Sequence, residues 1–233
     1  MLYIRWRILQ FLQVTPRDTN VPTIHHLRRP MKVSIVSGSH RPNSQSLKVA
    51  RFVEHIVRER LPFEADHLLD LATAGLPFWT EDPENLGSAK RLAEWEPVSS
   101  ALTAADAFVF VVPEWAGMAP PKLKNLLVLC DRHELAHKPA LLIGVSSGLG
   151  GSLPLAEMRA NSSKDTHICY IPEYVVIRNV LQFLNSPDPR SQVEIGIHRR
   201  ISYCLDVLYA YSLGLKTIRD GNVIDLKTFP YGM

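Results

Sequence analysis

Ser39, Arg41, Ser44 and Ser46 set three hydroxyls and one guanidinium in a short stretch directly after the apolar run Val33–Val36. Donors of these types at this spacing suit the holding of an anion, a phosphate above all. Gly38 permits a tight turn without a Cβ penalty. The pattern from Leu47 onward is helical, so the loop ends at a helix N-terminus whose free N–H groups attract negative charge. The apolar run reads as a rigid edge strand that presents the loop. No Lys-Ser/Thr pair follows a second glycine, which excludes a Walker loop, and G-x-G-x-x-G fails because position 40 is His. A loop that grips with hydroxyls rather than with glycine backbone alone favours a monophosphate over a pyrophosphate. Ser, Asn and Pro are also ordinary turn and N-cap residues, so a capped helix start without a ligand is the lesser alternative to the phosphate reading.

Two further loops carry residues of interest. Pro113-Glu114-Trp115-Ala116-Gly117 combines a carboxylate, an indole and a glycine, and Ser146-Ser147-Gly148-Leu149-Gly150-Gly151 is rich in hydroxyls and glycine. The second overlaps Gly144-Val145-Ser146-Ser147-Gly148, a G-x-S-x-G elbow of the kind that carries the nucleophile of serine hydrolases, with Asp188 and His198 following in the order a triad requires. Against a hydrolase, no His-Gly-Gly oxyanion segment precedes the elbow, and the Ser39–Ser46 loop would have no role.

The elements that must position these loops follow from hydrophobic periodicity. Lys32–Ser37 reads as the first strand. Leu47, Ala50, Val53, Ile56 and Val57 then mark one face of a helix that ends before Pro62. A second strand is expected over Glu64–Asp70, then a Pro-punctuated connection through Phe78 and Trp79 and a helix over Ala89–Ala105. Ala107–Val112 is apolar at every position, as suits a central strand covered on both faces. Lys122–Cys130 is helical in pattern, Ala140–Val145 is a fourth strand, a helix starts near Pro154, and a fifth strand lies within His167–Ile177 despite Pro172. Residues 191–218 read as a long helix, and Gly221–Leu226 as a short strand or a tail. Such alternation winds a parallel sheet with helices on both faces. Loops at the C-terminal ends of the first, third and fourth strands then meet at the crevice where strand order reverses, and can converge on one ligand.

Composition narrows the class. Of the net charge of +3, residues 1–30 supply +4 through five Arg and Asp18. The remaining 21 basic and 22 acidic residues balance to −1, with no clustered basic face for nucleic acid. Cys130, Cys169 and Cys204 lack C-x-x-C or Cys/His spacing, which argues against a disulfide framework or zinc site and fits a reducing cytoplasm. No apolar run reaches the ~20 residues of a membrane helix. The fold is expected to begin at Met31, with residues 1–30 an unstructured extension and His25-His26 a passive pair.

With the three loops in view, the chain resembles the NADPH-dependent FMN reductase family, which includes quinone, azo-dye and chromate reductases, over about residues 31–180. Gly38-Ser39-His40-Arg41-Pro42-Asn43-Ser44-Gln45-Ser46 matches the family's G-S-x-R-x-x-S-x-S/T/N loop. Pro113-Glu114-Trp115-Ala116-Gly117 with Lys124-Asn125 is similar to P-E-Y/W-N-G followed by L-K-N, and Ser147-Gly148-Leu149-Gly150-Gly151 resembles the third, glycine-rich flavin loop. The resemblance implies a flavodoxin-like α/β three-layer sandwich with a five-stranded parallel sheet in the order 2-1-3-4-5, spanning residues 31–233 as one domain. It implies FMN as cofactor and NADPH or NADH as donor, with a flavin, quinone or similar small molecule as acceptor. Ser39, Arg41, Ser44, Gln45 and Ser46 would hold the FMN phosphate. Pro113, Glu114, Trp115, Ala116 and Gly117 would run along the isoalloxazine edge, and Ser147, Gly148, Gly150 and Gly151 would pass its other side. The chemistry would sit at flavin N5, with no side-chain acid, base or nucleophile. Family members form homodimers or homotetramers with partner residues beside the flavin. Phe78 and Trp79 are candidates for that place or for core packing, and Tyr203, Tyr209 and Tyr211 for core or subunit interface. Ala116 departs from the family's Asn, which leaves open whether that position acts through its side chain or its backbone. A flavin-binding protein without catalysis is the remaining reading from another class.

Overall fold

The computed structural model describes residues 30–60, 63–81 and 88–232. The expected extension, with His25-His26, lies outside them apart from Pro30. Strands and helices alternate in chain order: β1 Met31–Ser37, α1 Gln45–Arg60, β2 Phe63–Asp70, α2 Ala89–Ala104, β3 Ala107–Pro113, α3 Pro121–Leu129, β4 Pro139–Val145, α4 Leu153–Asn161, β5 Cys169–Ile177, and α5 Gln192–Arg219 after a single 3-10 turn at Val180–Gln182. Gly221–Leu226 forms bends and turns, the tail of the two expected alternatives.

Among the described residues the sheet runs β2-β1-β3-β4-β5 with every pairing parallel. The α/β flavodoxin-like arrangement of a parallel sheet flanked by helices is as expected. One expectation fails: β1 is not an edge strand, because it pairs with β2 on one side and β3 on the other. An apolar run alone does not distinguish an edge from an interior strand, whereas pairing along both sides does.

The apolar strands follow from the two cores they separate. Val33, Ile35, Val109, Val111, Leu141 and Ile143 face one core with Val53 and Ile56 of α1 and Leu205 and Leu208 of α5. The alternate residues Val36, Phe108, Phe110, Val112 and Leu142 face the other, with Leu102 of α2, Leu123 and Leu126 of α3 and Leu155 and Met158 of α4. The two-residue period of a strand puts neighbours on opposite faces, so a strand buried on both sides is apolar nearly throughout, and where β1 buries Ser34 its hydroxyl meets His67 Nδ1 at 3.2 Å. Behind β4, buried Lys138 donates from Nζ to the carbonyls of Leu102, Thr103 and Glu134, closing the last turn of α2. Burial, with repulsion from Arg219, pushes its ammonium down to about 8.

At the β5 edge, pairing with β4 passes from Ala140–Tyr170 directly to Leu142–Tyr174. The extra residues bulge out around Pro172, which has no N–H to give to a ladder. Arg159 donates to the Ile171 carbonyl at 2.7 Å and Arg200 to that of Tyr174 at 3.2 Å. Phe78 and Trp79 are 83% and 45% exposed, which removes the core reading for both. Tyr209 is buried, while Tyr203 and Tyr211 lie half-exposed on α5.

Candidate cofactor site

The switch of strand order falls between β1 and β3, and there the loops after β1, β3 and β4 converge. They enclose a cleft of about 260 Å³ whose lining includes Ser39, Arg41, Ser44, Gln45, Ser46, Pro113, Glu114, Trp115 and Ser147. Sequence reasoning missed its five other residues, Pro42, Asn43, Val145, Ser146 and Val180. Asn43 carries a signal, since Pro-Asn is a turn pair and its φ is +51°. Ser146 stood in the competing hydrolase motif, and Val180 follows a strand whose end Pro172 obscured.

The floor is the start of α1. Ser44 Oγ accepts from the Leu47 amide at 3.1 Å, so Ser44 is the N-cap, and Lys48 N–H donates to the Ser44 carbonyl. The Gln45 and Ser46 amides, the first two of the helix, have no intrahelical acceptor by geometry, and no acidic residue stands in the first turn. Ser39 Oγ accepts from the Arg41 amide at 3.2 Å. Ser46, 1% exposed, leaves its Oγ without a hydrogen-bond partner, and so does Gln45 at its Oε1. A buried hydroxyl with no partner costs about 1–3 kcal/mol, which a polar ligand in the cleft would recover. Two free helix amides, an unpartnered hydroxyl and a nearby guanidinium suit a phosphate. Arg41 lies exposed with its Cζ 4.3 Å from the Trp115 ring centroid, and His40 meets the same ring edge-on at 4.5 Å.

Past β3, Trp115 and Met118 exchange backbone hydrogen bonds of 3.0 and 2.9 Å around a two-residue turn. Its central residues, Ala116 at φ +50° and Gly117 at φ +79°, are both left-handed, the pairing for which Asn-Gly is favoured. Position 116 thus carries a conformational demand of its own, and Ala116 is exposed outside the cleft lining. Ala116→Asn is expected to raise unfolding free energy by about 0.5–1 kcal/mol, read from urea denaturation, because Asn adopts the left-handed region at lower cost than Ala.

The glycine-rich loop is joined to this hairpin by Glu114, whose Oε2 accepts from the Gly151 amide. A Cβ on Gly150 would lie 2.5 Å from Glu114 Oε1, and one on Gly151, at φ +103°, would lie 2.9 Å from Val176 Cγ1. Backbone conformation and packing thus favour glycine at 151, while at 150 a side chain would displace the Glu114 carboxylate. Gly148 faces open space, and Ala116, Gly117, Gly148, Gly150 and Gly151 all lie outside the cleft lining. Ser146 Oγ accepts from the Gly148 amide at 3.1 Å, and Ser146 is absent from the residues with positive φ that a nucleophile elbow needs. His198 packs edge-on against Phe52 of α1, and Asp188 is exposed. The elbow spelling is a coincidence of two loop serines and two glycines.

No curated protein matches the chain by sequence. Among solved structures, the flavoenzyme NAD(P)H:(acceptor) oxidoreductase FerB from Paracoccus denitrificans is similar at 18% identity and a TM-score of 0.62, over 79% of this chain and 98% of that one. An oxidoreductase from Corynebacterium diphtheriae has 14% identity and a TM-score of 0.57, over 79% and 97%. The NADH:FMN oxidoreductase EMOB has 17% identity and a TM-score of 0.56, over 79% and 89%. At such identities the likeness speaks for the α/β flavodoxin-like fold. The sequence profile of the NADPH-dependent FMN reductases matches residues 31–182, a span from β1 through the loop after β5 that takes in all three cleft loops. The chain belongs to the NADPH-dependent FMN reductase family and is an NAD(P)H-dependent oxidoreductase that works with FMN.

Proposed function

We propose that the cleft holds FMN with its phosphate at the N-terminus of α1, and that the protein transfers hydride from NAD(P)H to a flavin, quinone or similar small acceptor. The observation that carries this reading is the buried, unpartnered Ser46 hydroxyl beside free helix amides. Ser39, Arg41, Ser44, Gln45 and Ser46 bind the phosphate, with Arg41 supplying the compensating charge. Pro113–Gly117 bounds the ring system on one side and Ser147–Gly151 on the other. Glu114 keeps the two loops in register through the Gly151 amide.

FMN held by these residues would supply the two-electron chemistry between nicotinamide and acceptor. The chain's own part is to orient the cofactor, neutralise its phosphate and leave one face open to donor and acceptor in turn. Its side chains act as neither acid, base nor nucleophile. Residues 31–233 act as one FMN-binding domain, with α5 completing the core. Three free cysteines fit a reducing cytoplasm, and among the described residues no helix is long and apolar enough to cross a membrane. Exposed Phe78 and Trp79 suit the contact face of a homodimer or homotetramer.

Purified protein is expected to be yellow, to release FMN on denaturation, and to bleach with NADPH under anaerobic conditions. Colourless protein that does not take up added FMN would overturn the assignment. Bound FMN that no nicotinamide bleaches would leave a flavin carrier fed by another donor.

A further inference from the structure

Beyond the three motif loops, the segment after β5 contributes Val180 to the cleft, and its backbone is left-handed at both ends. Asn179 has φ +48° and Leu184 φ +58°, a costly backbone for a bulky residue such as Leu that persists only where the surroundings enforce it. The enforcing groups come from two helices. On α1, one turn beyond the N-cap, Lys48 Nζ donates to the Val180 carbonyl at 2.7 Å, the Phe183 carbonyl at 2.8 Å and Asn185 Oδ1 at 2.8 Å, which uses all three of its protons. On α5, buried Glu194 accepts from the Leu184 amide at 3.0 Å and the Arg190 amide at 2.7 Å. Ser191 caps α5 through the Glu194 amide, so Ser191 and Glu194 occupy the positions of a capping box whose carboxylate has been turned to the strained loop. Burial lowers Lys48 from its ordinary pKa, and the charge of Glu194 offsets part of that loss.

The segment so held carries the glycine-rich loop. Arg178 Nε donates to the Leu149 carbonyl at 2.6 Å, the Asn179 amide to Gly148 at 2.9 Å and the Val180 amide to Ser146 at 3.1 Å. Val180 is thereby fixed at its carbonyl by Lys48 and at its amide by Ser146, and its own side lines the cleft.

We infer that Lys48 is a positioning residue, which with Glu194 ties the phosphate-loop helix to the β5 loop and through it sets the place of Ser146–Leu149 beside the cofactor. The inference rests on the proposed FMN site but concerns a residue that lines no part of the cleft.

The test compares Lys48→Met, Lys48→Arg and wild type, each first stripped of FMN. Hydrogen exchange at the Asn179, Val180 and Leu184 amides reports the tether without the cofactor, and flavin fluorescence quenching then reports FMN affinity. Lys48→Met is expected to speed exchange at those amides while those of β3 and β4 stay protected. It is also expected to raise the FMN Kd about tenfold, the scale of coupling within one hydrogen-bond network. Lys48→Arg, which keeps the charge and several donors, is expected to recover both. Unchanged exchange or an unchanged Kd in Lys48→Met overturns the inference, and so does exchange that rises equally in β3 and β4, which would make Lys48 a general stabiliser. Failure of wild type to bind FMN sinks the proposed function instead, and the exchange comparison still decides the tether.

Discussion

Arg41→Ala is expected to weaken FMN binding by about 10- to 100-fold, because a charge-assisted bond to phosphate is worth roughly 1.5–3 kcal/mol. Arg41 is exposed, and its contact with protein is the stack on Trp115 together with the Ser39 hydrogen bond to its backbone, which the substitution keeps. The cofactor-free protein should therefore lose less than about 1 kcal/mol of stability. Ser46→Ala separates affinity from stability more sharply. Its hydroxyl is buried without a partner, so removing it should leave the cofactor-free protein as stable or more so, while FMN affinity falls about five- to tenfold. Calorimetric titration with FMN beside urea denaturation of the stripped protein reads both quantities. Loss of stability in Ser46→Ala with unchanged FMN affinity would mean that the hydroxyl serves the fold, and that the phosphate lies elsewhere.

The second large effect belongs to Gly144. A Cβ there would stand 2.0 Å from the Gly151 carbonyl oxygen and 3.2 Å from Leu155 Cδ1. Gly151 has little room to yield, since its amide is tied to Glu114, its φ is +103° and the Val176 side chain closes its other side. Gly144→Ala should cost more than about 3 kcal/mol, the upper range for overpacking, and should loosen the glycine-rich loop as it does so. Gly148→Ala is the control from the same five-residue motif. Nothing lies within 4 Å of a Cβ at Gly148, and a change of less than about 0.5 kcal/mol is expected. Urea midpoints for the two variants decide the matter, and equal midpoints would refute the packing account of Gly144.

The contrast between these glycines marks where sequence reading stops. The strands were legible because both faces of the sheet are covered, which makes Ala107–Val112 and Ala140–Val145 apolar at every position and Val33–Val36 apolar but for Ser34, and helix α1 was legible from its Val53, Ile56 and Val57 face. The cleft loops were legible because hydroxyl- and glycine-rich segments follow the first, third and fourth strands, whose C-terminal ends meet at the crevice of an open α/β sheet. A glycine reports only that something stands close, and in Gly144, Gly150 and Gly151 that something is the protein itself. Position 116 was ambiguous until its backbone was seen to be left-handed. The tether from Lys48 to Val180 joins residues 132 apart, and nothing local to either one signals the other. The interior place of β1 likewise depends on which strands pair, a long-range fact that no window of sequence holds.

A sheet that stops must also be kept from continuing. Along β5 the next strand of a neighbouring molecule would find Pro172 without a donor, a bulge that breaks the spacing of the ladder, and the Ile171 and Tyr174 carbonyls already occupied by Arg159 and Arg200. This margin of the protein is closed to β-augmentation and to edge-to-edge aggregation. A second copy that meets this margin is thereby steered away from adding a strand at β5, which leaves the strand order at the cleft untouched.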